Sequence, residues 1–274
     1  MENVLEHFQL QRLPFDRALL ARDFFGGEGF SELCARLRYA CTHRYCMLVT
    51  GEVGTGKSSA LRALQAELDP GRYRFIYLAD SRLPPRAFYE HTLAALGITP
   101  TGLLARRKRA FWQVVRELTE HQRMQLVVAI DEAHTLGHAM LQKLRFLLNS
   151  DLDARSLFTL LLVGQPELKA TLRLLVYMPV AQRLDLTFHL GSLPLAETQA
   201  YILHQLRLAG CDHPIFTQQV GERIHAHTMG IPRLINRLAR DCLLDAASRQ
   251  DPLVEAAHLH GCWPTWKPEE EVMA

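Results

Sequence analysis

Short runs of uninterrupted apolar residues recur through the first two thirds of the chain, with stretches of helical spacing between them. Cys46-Met47-Leu48-Val49-Thr50, Arg74-Phe75-Ile76-Tyr77-Leu78-Ala79, Gln125 to Ile130, Ser156 to Val163 and Leu186 to Leu190 read as strands. Where such runs do not alternate with polar residues, both faces are buried, which is the signature of a parallel sheet covered on two sides. Between them, apolar residues at helical spacing predict helices over Phe30–Arg44, 59–68 (stopped by Asp69-Pro70-Gly71), Arg86–Leu96 (stopped by Gly97), from Leu103 to about Arg123, and over Ala139–Leu148. From Leu193 onward the pattern contains helices without strands: 196–209, 218–227, one opening at Ile231-Pro232-Arg233, and a short one over 253–259. This predicts an α/β domain over 31–192 followed by a small all-α domain over 193–260. Residues 1–30, turn-rich and set with Phe8, Phe15, Phe24 and Phe25, are expected to form an arm packing on the α/β core. Residues 261–274, with Trp263 and Trp266, read as an irregular tail, either an unremarkable chain end or a peptide that docks on a partner.

Composition narrows the class without changing the architecture. The chain has 274 residues, 48% of them hydrophobic and 22% charged, with a net charge of +2. Any contact with nucleic acid must therefore come from a local patch. No apolar run reaches the roughly 20 residues needed to cross a bilayer, so no membrane insertion is expected. The N-terminus lacks the basic and apolar regions of a signal peptide. Six cysteines, none in a CxxC pair, suit a reduced, cytoplasmic setting.

The chemistry begins at Gly51-Glu52-Val53-Gly54-Thr55-Gly56-Lys57-Ser58, which fits G-x-x-x-x-G-K-[ST] without a mismatch and sits between a strand and a helix. Glycines let backbone N–H groups turn toward an anion, and the following helix adds the positive end of its dipole. Gly51 to Ser59 are thus candidate nucleotide contacts, with Lys57 expected on the β- and γ-phosphates and Ser58 on Mg²⁺. After the run Gln125–Ile130 comes Asp131-Glu132, at the C-terminal end of a strand, where open α/β sheets place ligands. Asp131 is the second candidate metal ligand, and Glu132 the candidate base for a water attacking the γ-phosphate. Gln165 ends the next strand and is expected to touch the γ-phosphate or that water. Arg183 precedes the last strand, where it could reach a neighbouring subunit's nucleotide or simply pair with Asp185. Arg233 opens a helix after Gly230 and Pro232 and could fold back on the phosphates. Phe24 and Phe25 could cover an adenine ring or merely pack the arm. Arg106-Arg107-Lys108-Arg109 is the densest basic cluster, readable as a solvated helix face or as a phosphate contact with DNA.

Taken together, Pro14-Phe15, Phe24-Phe25, Gly51 to Ser58, Ile130-Asp131-Glu132-Ala133-His134, Leu162-Val163-Gly164-Gln165-Pro166-Glu167-Leu168, Gln182-Arg183 and Gly230-Ile231-Pro232-Arg233-Leu234-Ile235-Asn236 resemble the AAA+ ATPases of the ExeA-like group. The resemblance implies a P-loop parallel sheet flanked by helices with an all-α lid. It also implies ATP with Mg²⁺, and hydrolysis to ADP and phosphate. By the same resemblance, Gln165 is a sensor, Arg183 an arginine finger and Arg233 a second sensor. Longer ExeA-type secretion proteins carry a membrane helix and a peptidoglycan-binding region after the ATPase, and neither is read in this sequence. The stand-alone helper ATPases of DNA transposition (TnsC, MuB and TniB) are the nearest in size. That likeness implies an oligomer, ring or filament, on double-stranded DNA that recruits or activates a transposase. The alternative is a cytoplasmic ATPase serving a secretion or envelope-assembly system.

Overall fold

In a computed structural model that describes residues 2–79, 83–148 and 156–262, the chain divides into two units. One is Glu28–Gly191; the other combines Met1–Gly27 with Ser192–Ala274. The tail bearing Trp263 and Trp266 lies outside the described residues.

The first unit is built on β1 (Cys46–Thr50), β2 (Tyr73–Leu78), β3 (Gln125–Ile130), β4 (Thr159–Gly164) and β5 (Leu186–His189). They form one sheet in the order β2-β3-β4-β1-β5, and every neighbouring pair is parallel. Successive residues of the three inner strands point to opposite faces. Leu48, Leu126, Val128, Leu160 and Leu162 enter one apolar layer, and Met47, Val49, Val127, Ala129, Leu161 and Val163 the other. The second layer is closed by α2 (Glu28–His43) and α3 (Lys57–Glu67) through Leu33, Leu37, Ala60, Leu61 and Leu64. The first is closed by α4 (Pro85–Ala95), α5 (Leu104–Glu120) and α6 (His138–Leu147), through Phe88, Tyr89, Phe111, Val115, Met140 and Leu144. With helices on both faces, continuous apolar strands are what burial requires. Two further helices, α7 (Pro166–Leu172) and α8 (Met178–Ala181), lead from β4 to β5.

On α5 the apolar positions Phe111, Val115 and Leu118 share a face with Arg107, one turn earlier. Arg107 is accordingly 6% exposed and forms an ion pair with Glu90 of α4, which Arg86 also contacts at 3.2 Å. Removing one partner of a buried pair leaves a charge stranded. Glu90 is part-exposed and keeps Arg86, so Arg107→Ala is expected to cost about 2–3 kcal/mol, below the range for a fully buried pair. Arg107→Met, which keeps most of the packed volume, should lose less. Urea unfolding followed by circular dichroism measures both.

The second unit is helical: α9 (Leu195–Leu208), α10 (Gln218–Thr228), α11 (Pro232–Arg249) and α12 (Ala256–Cys262), with α1 (Glu2–His7). The arm expected to pack on the sheet domain belongs to this unit. Val4, Phe8, Leu10 and Phe15 are buried in one cluster with Ile202, Leu206, Ile215, Ile235 and Leu238. Apolar side chains from the N-terminus complete a core that four helices alone leave small. The helix α1 is only six residues long, too short for its spacing to register as periodic. The helix expected from Leu253 starts at Ala256 instead, because Val254 is drawn into a bridge with Phe216.

Candidate active site

The chain leaves β1 into the loop Gly51–Gly56 and turns into α3 at Lys57. Gly54 and Gly56 hold φ of 89° and 109°, the left-handed region that glycine occupies at little cost. Gly51 answers a different need: a Cβ there would stand 2.5 Å from the carbonyl oxygen of Leu190, so only glycine lets the loop lie against the exit of β5. Thr55 closes the turn by donating its hydroxyl to the Glu52 carbonyl at 2.9 Å. Lys57 is 9% exposed, and its ammonium donates to the carbonyls of Gly51 at 2.6 Å and Glu52 at 2.8 Å. A cation is thus held inside a glycine loop at a helix start, a cradle that suits a phosphate.

Strand order decides what lies opposite. In the sheet, β4 separates β1 from β3, yet a hydrogen bond joins the two strand exits across it: Ser58 Oγ donates to Asp131 Oδ2 at 2.8 Å. Asp131 is 3% exposed and follows β3 directly. Its carboxylate also accepts the Tyr77 hydroxyl at 2.8 Å and the Glu132 backbone N–H at 2.9 Å. Burial, then the hydrogen bond to Asp131 and the charges of Asp131 and Glu132, push the Tyr77 phenol above its ordinary range, so it stays a donor. A hard-oxygen pair of hydroxyl and carboxylate beside a buried ammonium is a donor set that fits Mg²⁺ held together with a phosphate. Ser58 and Asp131 are the residues that would hold it.

Glu132 has φ 52° and ψ 33°, a left-handed conformation unfavourable for a residue with a side chain. Its carbonyl accepts both the backbone N–H (2.9 Å) and the hydroxyl (2.8 Å) of Thr135, so local bonds fix the turn. The turn throws the Glu132 side chain outward, 57% exposed, instead of folding it under the strand. Strain kept in place by its surroundings is common where a side chain must be aimed. Gly164, at the end of β4, allows this turn to sit close: a Cβ there would stand 3.0 Å from the backbone nitrogen of His134. Gln165 follows, its side-chain amide 2.9 Å from His134 Nε2.

The structure therefore brings together Lys57, Ser58, Asp131, Glu132 and Gln165 as the sequence predicted. It adds Tyr77 and His134, which the sequence reading did not assign. Both stood in view, Tyr77 near the end of a strand and His134 within Asp-Glu-Ala-His, but neither residue type announces a role by itself. Arg183, after α8, is half-buried and donates Nη1 to the Pro179 carbonyl at 2.7 Å. Before it runs an exposed apolar stretch, Leu174, Leu175 (86% exposed) and Val176. Phe24, Phe25 and Arg233 lie in the helical unit. There Phe25 packs edge-on against Tyr201 at 5.6 Å between ring centroids, and Arg233 is exposed on the first turn of α11.

The basic cluster needs correction. Arg107 faces the core, as described above, and so is removed from the candidate DNA contacts. Arg106 and Arg109 are exposed, and Lys108 turns toward α6. There the exposed ring of Phe146 is approached by Lys108 at 6.0 Å, Lys143 at 5.4 Å and Arg145 at 5.0 Å. An open groove of about 870 Å³ beside it is lined by Lys108, Arg109, Trp112 and Arg116 together with Glu117 and Glu120. Among the described residues no helix is long and apolar enough to cross a membrane.

Comparison with known proteins agrees with this fold. Residues 39–172 match the family described as AAA domain. General secretion pathway protein A of Aeromonas hydrophila is 33% identical over 252 residues, covering 89% of this chain. The chain spans 45% of that protein's length. Among solved structures, Cdc6p from Pyrobaculum aerophilum superposes with a TM-score of 0.66 at 16% identity, over 88% of this chain and 67% of that one. The ORC1 protein of Aeropyrum pernix, solved in complex with DNA, gives 0.61 at 15% identity, over 95% and 67%. At such identities the superpositions speak for the fold alone. The chain has the AAA P-loop NTPase fold, and residues 39–172 are the part that matches the AAA domain family.

Proposed function

We propose that this chain is an ATPase that binds ATP with Mg²⁺, hydrolyses it to ADP and phosphate, and completes its site with a second copy of itself. The observation that carries the reading is the bond from Ser58 to Asp131 beside the lodged Lys57 ammonium. Bound Mg²⁺ would supply positive charge against the phosphate oxygens. Lys57 would add a second cation, and Glu132 would orient and deprotonate a water aimed at the γ-phosphate. Gln165 would sense that phosphate. Arg183 would serve a neighbour's nucleotide, and the exposed run Leu174-Leu175-Val176 that precedes it supports a contact surface between copies.

The cellular role we infer is that of a secretion or envelope-assembly ATPase acting from the cytoplasmic side, supported by the likeness to General secretion pathway protein A. A second reading, an ATP-dependent regulator of transposition that assembles on duplex DNA and engages a transposase, is supported by the cations around Phe146.

Sedimentation velocity with and without a slowly hydrolysed ATP analogue tests the shared part. Wild-type protein should assemble only with the analogue. Arg183→Ala should bind nucleotide within about twofold of wild type, assemble poorly, and lose turnover by about 10³-fold or more, as arginine-finger losses do. Assembly that ignores nucleotide counts against the proposal. Polarisation of a labelled 30-base-pair duplex at two salt concentrations then separates the roles. ATP-dependent, salt-sensitive binding selects the DNA reading, and no binding selects the secretion reading.

A further inference from the structure

We propose that His134 is a positioning residue through which the side-chain amide of Gln165 controls the Glu132 carboxylate, a role that rests on the hydrolytic reading of Glu132. The imidazole stands between the two. Its Nε2 is 2.9 Å from the Gln165 side-chain amide, and its Nδ1 is 3.4 Å from the Gln165 backbone nitrogen and 3.6 Å from Glu132 Oε2. Nδ1 thus faces a donor and a carboxylate at once, and it can satisfy only one of them.

A neutral imidazole carries one proton, so two arrangements exist. In the first, the Gln165 NH₂ donates to Nε2. The ring proton then sits on Nδ1, directed at Glu132, and at 3.6 Å only a small closure makes a hydrogen bond that holds the carboxylate. In the second, the Gln165 amide is turned by half a rotation. Its oxygen accepts from Nε2–H, Nδ1 is bare, and it accepts the Gln165 backbone N–H instead. The lone pair now faces the Glu132 carboxylate and the hold is withdrawn. Passing between the two moves one proton from Nδ1 to Nε2 through water and changes no net charge.

The amide can be turned by anything that competes for its NH₂. A phosphate oxygen of the substrate on the far side of Gln165 is such a competitor. Its arrival would swing the amide oxygen onto Nε2 and free Glu132 to take a proton from water. Departure of that oxygen would restore the hold. A base kept in check until a γ-phosphate is sensed limits wasteful turnover, and the left-handed backbone at Glu132 keeps its carboxylate within reach of His134 in the meantime.

Nitrogen-15 spectra of histidine-labelled protein test this directly, with His134 identified by its absence in His134→Ala. Wild-type protein without nucleotide should show His134 protonated chiefly at Nδ1, and addition of ATPγS should move the proton to Nε2. Gln165→Ala should abolish that response. An unchanged tautomer on adding ATPγS, or a response that survives Gln165→Ala, overturns the proposal. Kinetics supply a second arm. Gln165→Ala, which cannot withdraw the hold, should lower kcat by about tenfold or more, short of the roughly 100-fold that a 1 Å misplacement can cost, whereas His134→Ala, which has no hold to withdraw, should turn over at least as fast as wild type, with ATPγS affinity within about twofold for both. The double variant should regain the turnover of His134→Ala; a double variant as slow as Gln165→Ala overturns the link. His134→Asn, which keeps a donor near the Nδ1 position but has no proton to relocate, should keep the hold and lower kcat where alanine does not. Should wild-type protein bind ATP without hydrolysing it, the hydrolytic reading fails, while the tautomer response still decides whether Gln165 and His134 are coupled.

Discussion

Lys57→Ala is expected to reduce affinity for ATP by at least about 100-fold, close to 3 kcal/mol. The ammonium is buried and already held by two carbonyls within the loop, so its position is set before any ligand arrives. Exchanging carbonyl partners for an anionic phosphate turns ordinary charge–dipole bonds into charge–charge bonds in a site of low dielectric, which is where such contacts are strongest. The substitution removes that gain without threatening the helix, because alanine at the first position of α3 is a good helix former. Titration with a fluorescent ATP analogue measures the loss, and an unchanged unfolding midpoint shows that the fold is kept. Retention of wild-type affinity would remove the phosphate-binding role of the loop, and ATP-dependent assembly should vanish together with binding.

Glu132→Gln separates binding from chemistry. The amide has the size of the carboxylate, and the turn beneath it is fixed by the backbone of residue 132, whose N–H donates to the Asp131 carboxylate and whose carbonyl accepts from Thr135. Affinity should therefore stay within about twofold, and assembly with ATP should persist or lengthen in lifetime. A glutamine cannot accept the proton of an attacking water, so turnover should fall by about 10²- to 10⁴-fold, the usual worth of a positioned general base. Phosphate release measured beside equilibrium binding gives both numbers. Full turnover in this variant would leave Glu132 without its assigned task and point to another base.

The parts of the fold that were legible are those written in local spacing. Continuous apolar runs gave the strands that line the middle of the sheet, and three- and four-residue spacing gave the helices around them, with ends displaced by a few residues. The phosphate loop was legible for a different reason: its glycines, lysine and serine are required by backbone conformation and ligand chemistry over eight consecutive positions. Arg107 was misread although its spacing from Phe111, Val115 and Leu118 already put it on the buried face; the run of four basic residues drew attention to charge and away from phase. The N-terminal arm was misplaced because its apolar residues declare that they will be buried but not against which core.

By itself the sequence determined which segments are buried, which are strands or helices, and which short stretch receives a phosphate, since each of these follows from the side chains of neighbouring residues. Tertiary structure alone decided the strand order β2-β3-β4-β1-β5, and with it the meeting of Ser58 with Asp131 and the place of Gln165 after the strand that lies between β3 and β1. It alone made Tyr77 a partner of Asp131 and His134 the link from Glu132 to Gln165. Pairing between distant strands depends on which apolar faces and crossovers fit together across the whole domain, and no window of sequence a helix or strand long contains that information.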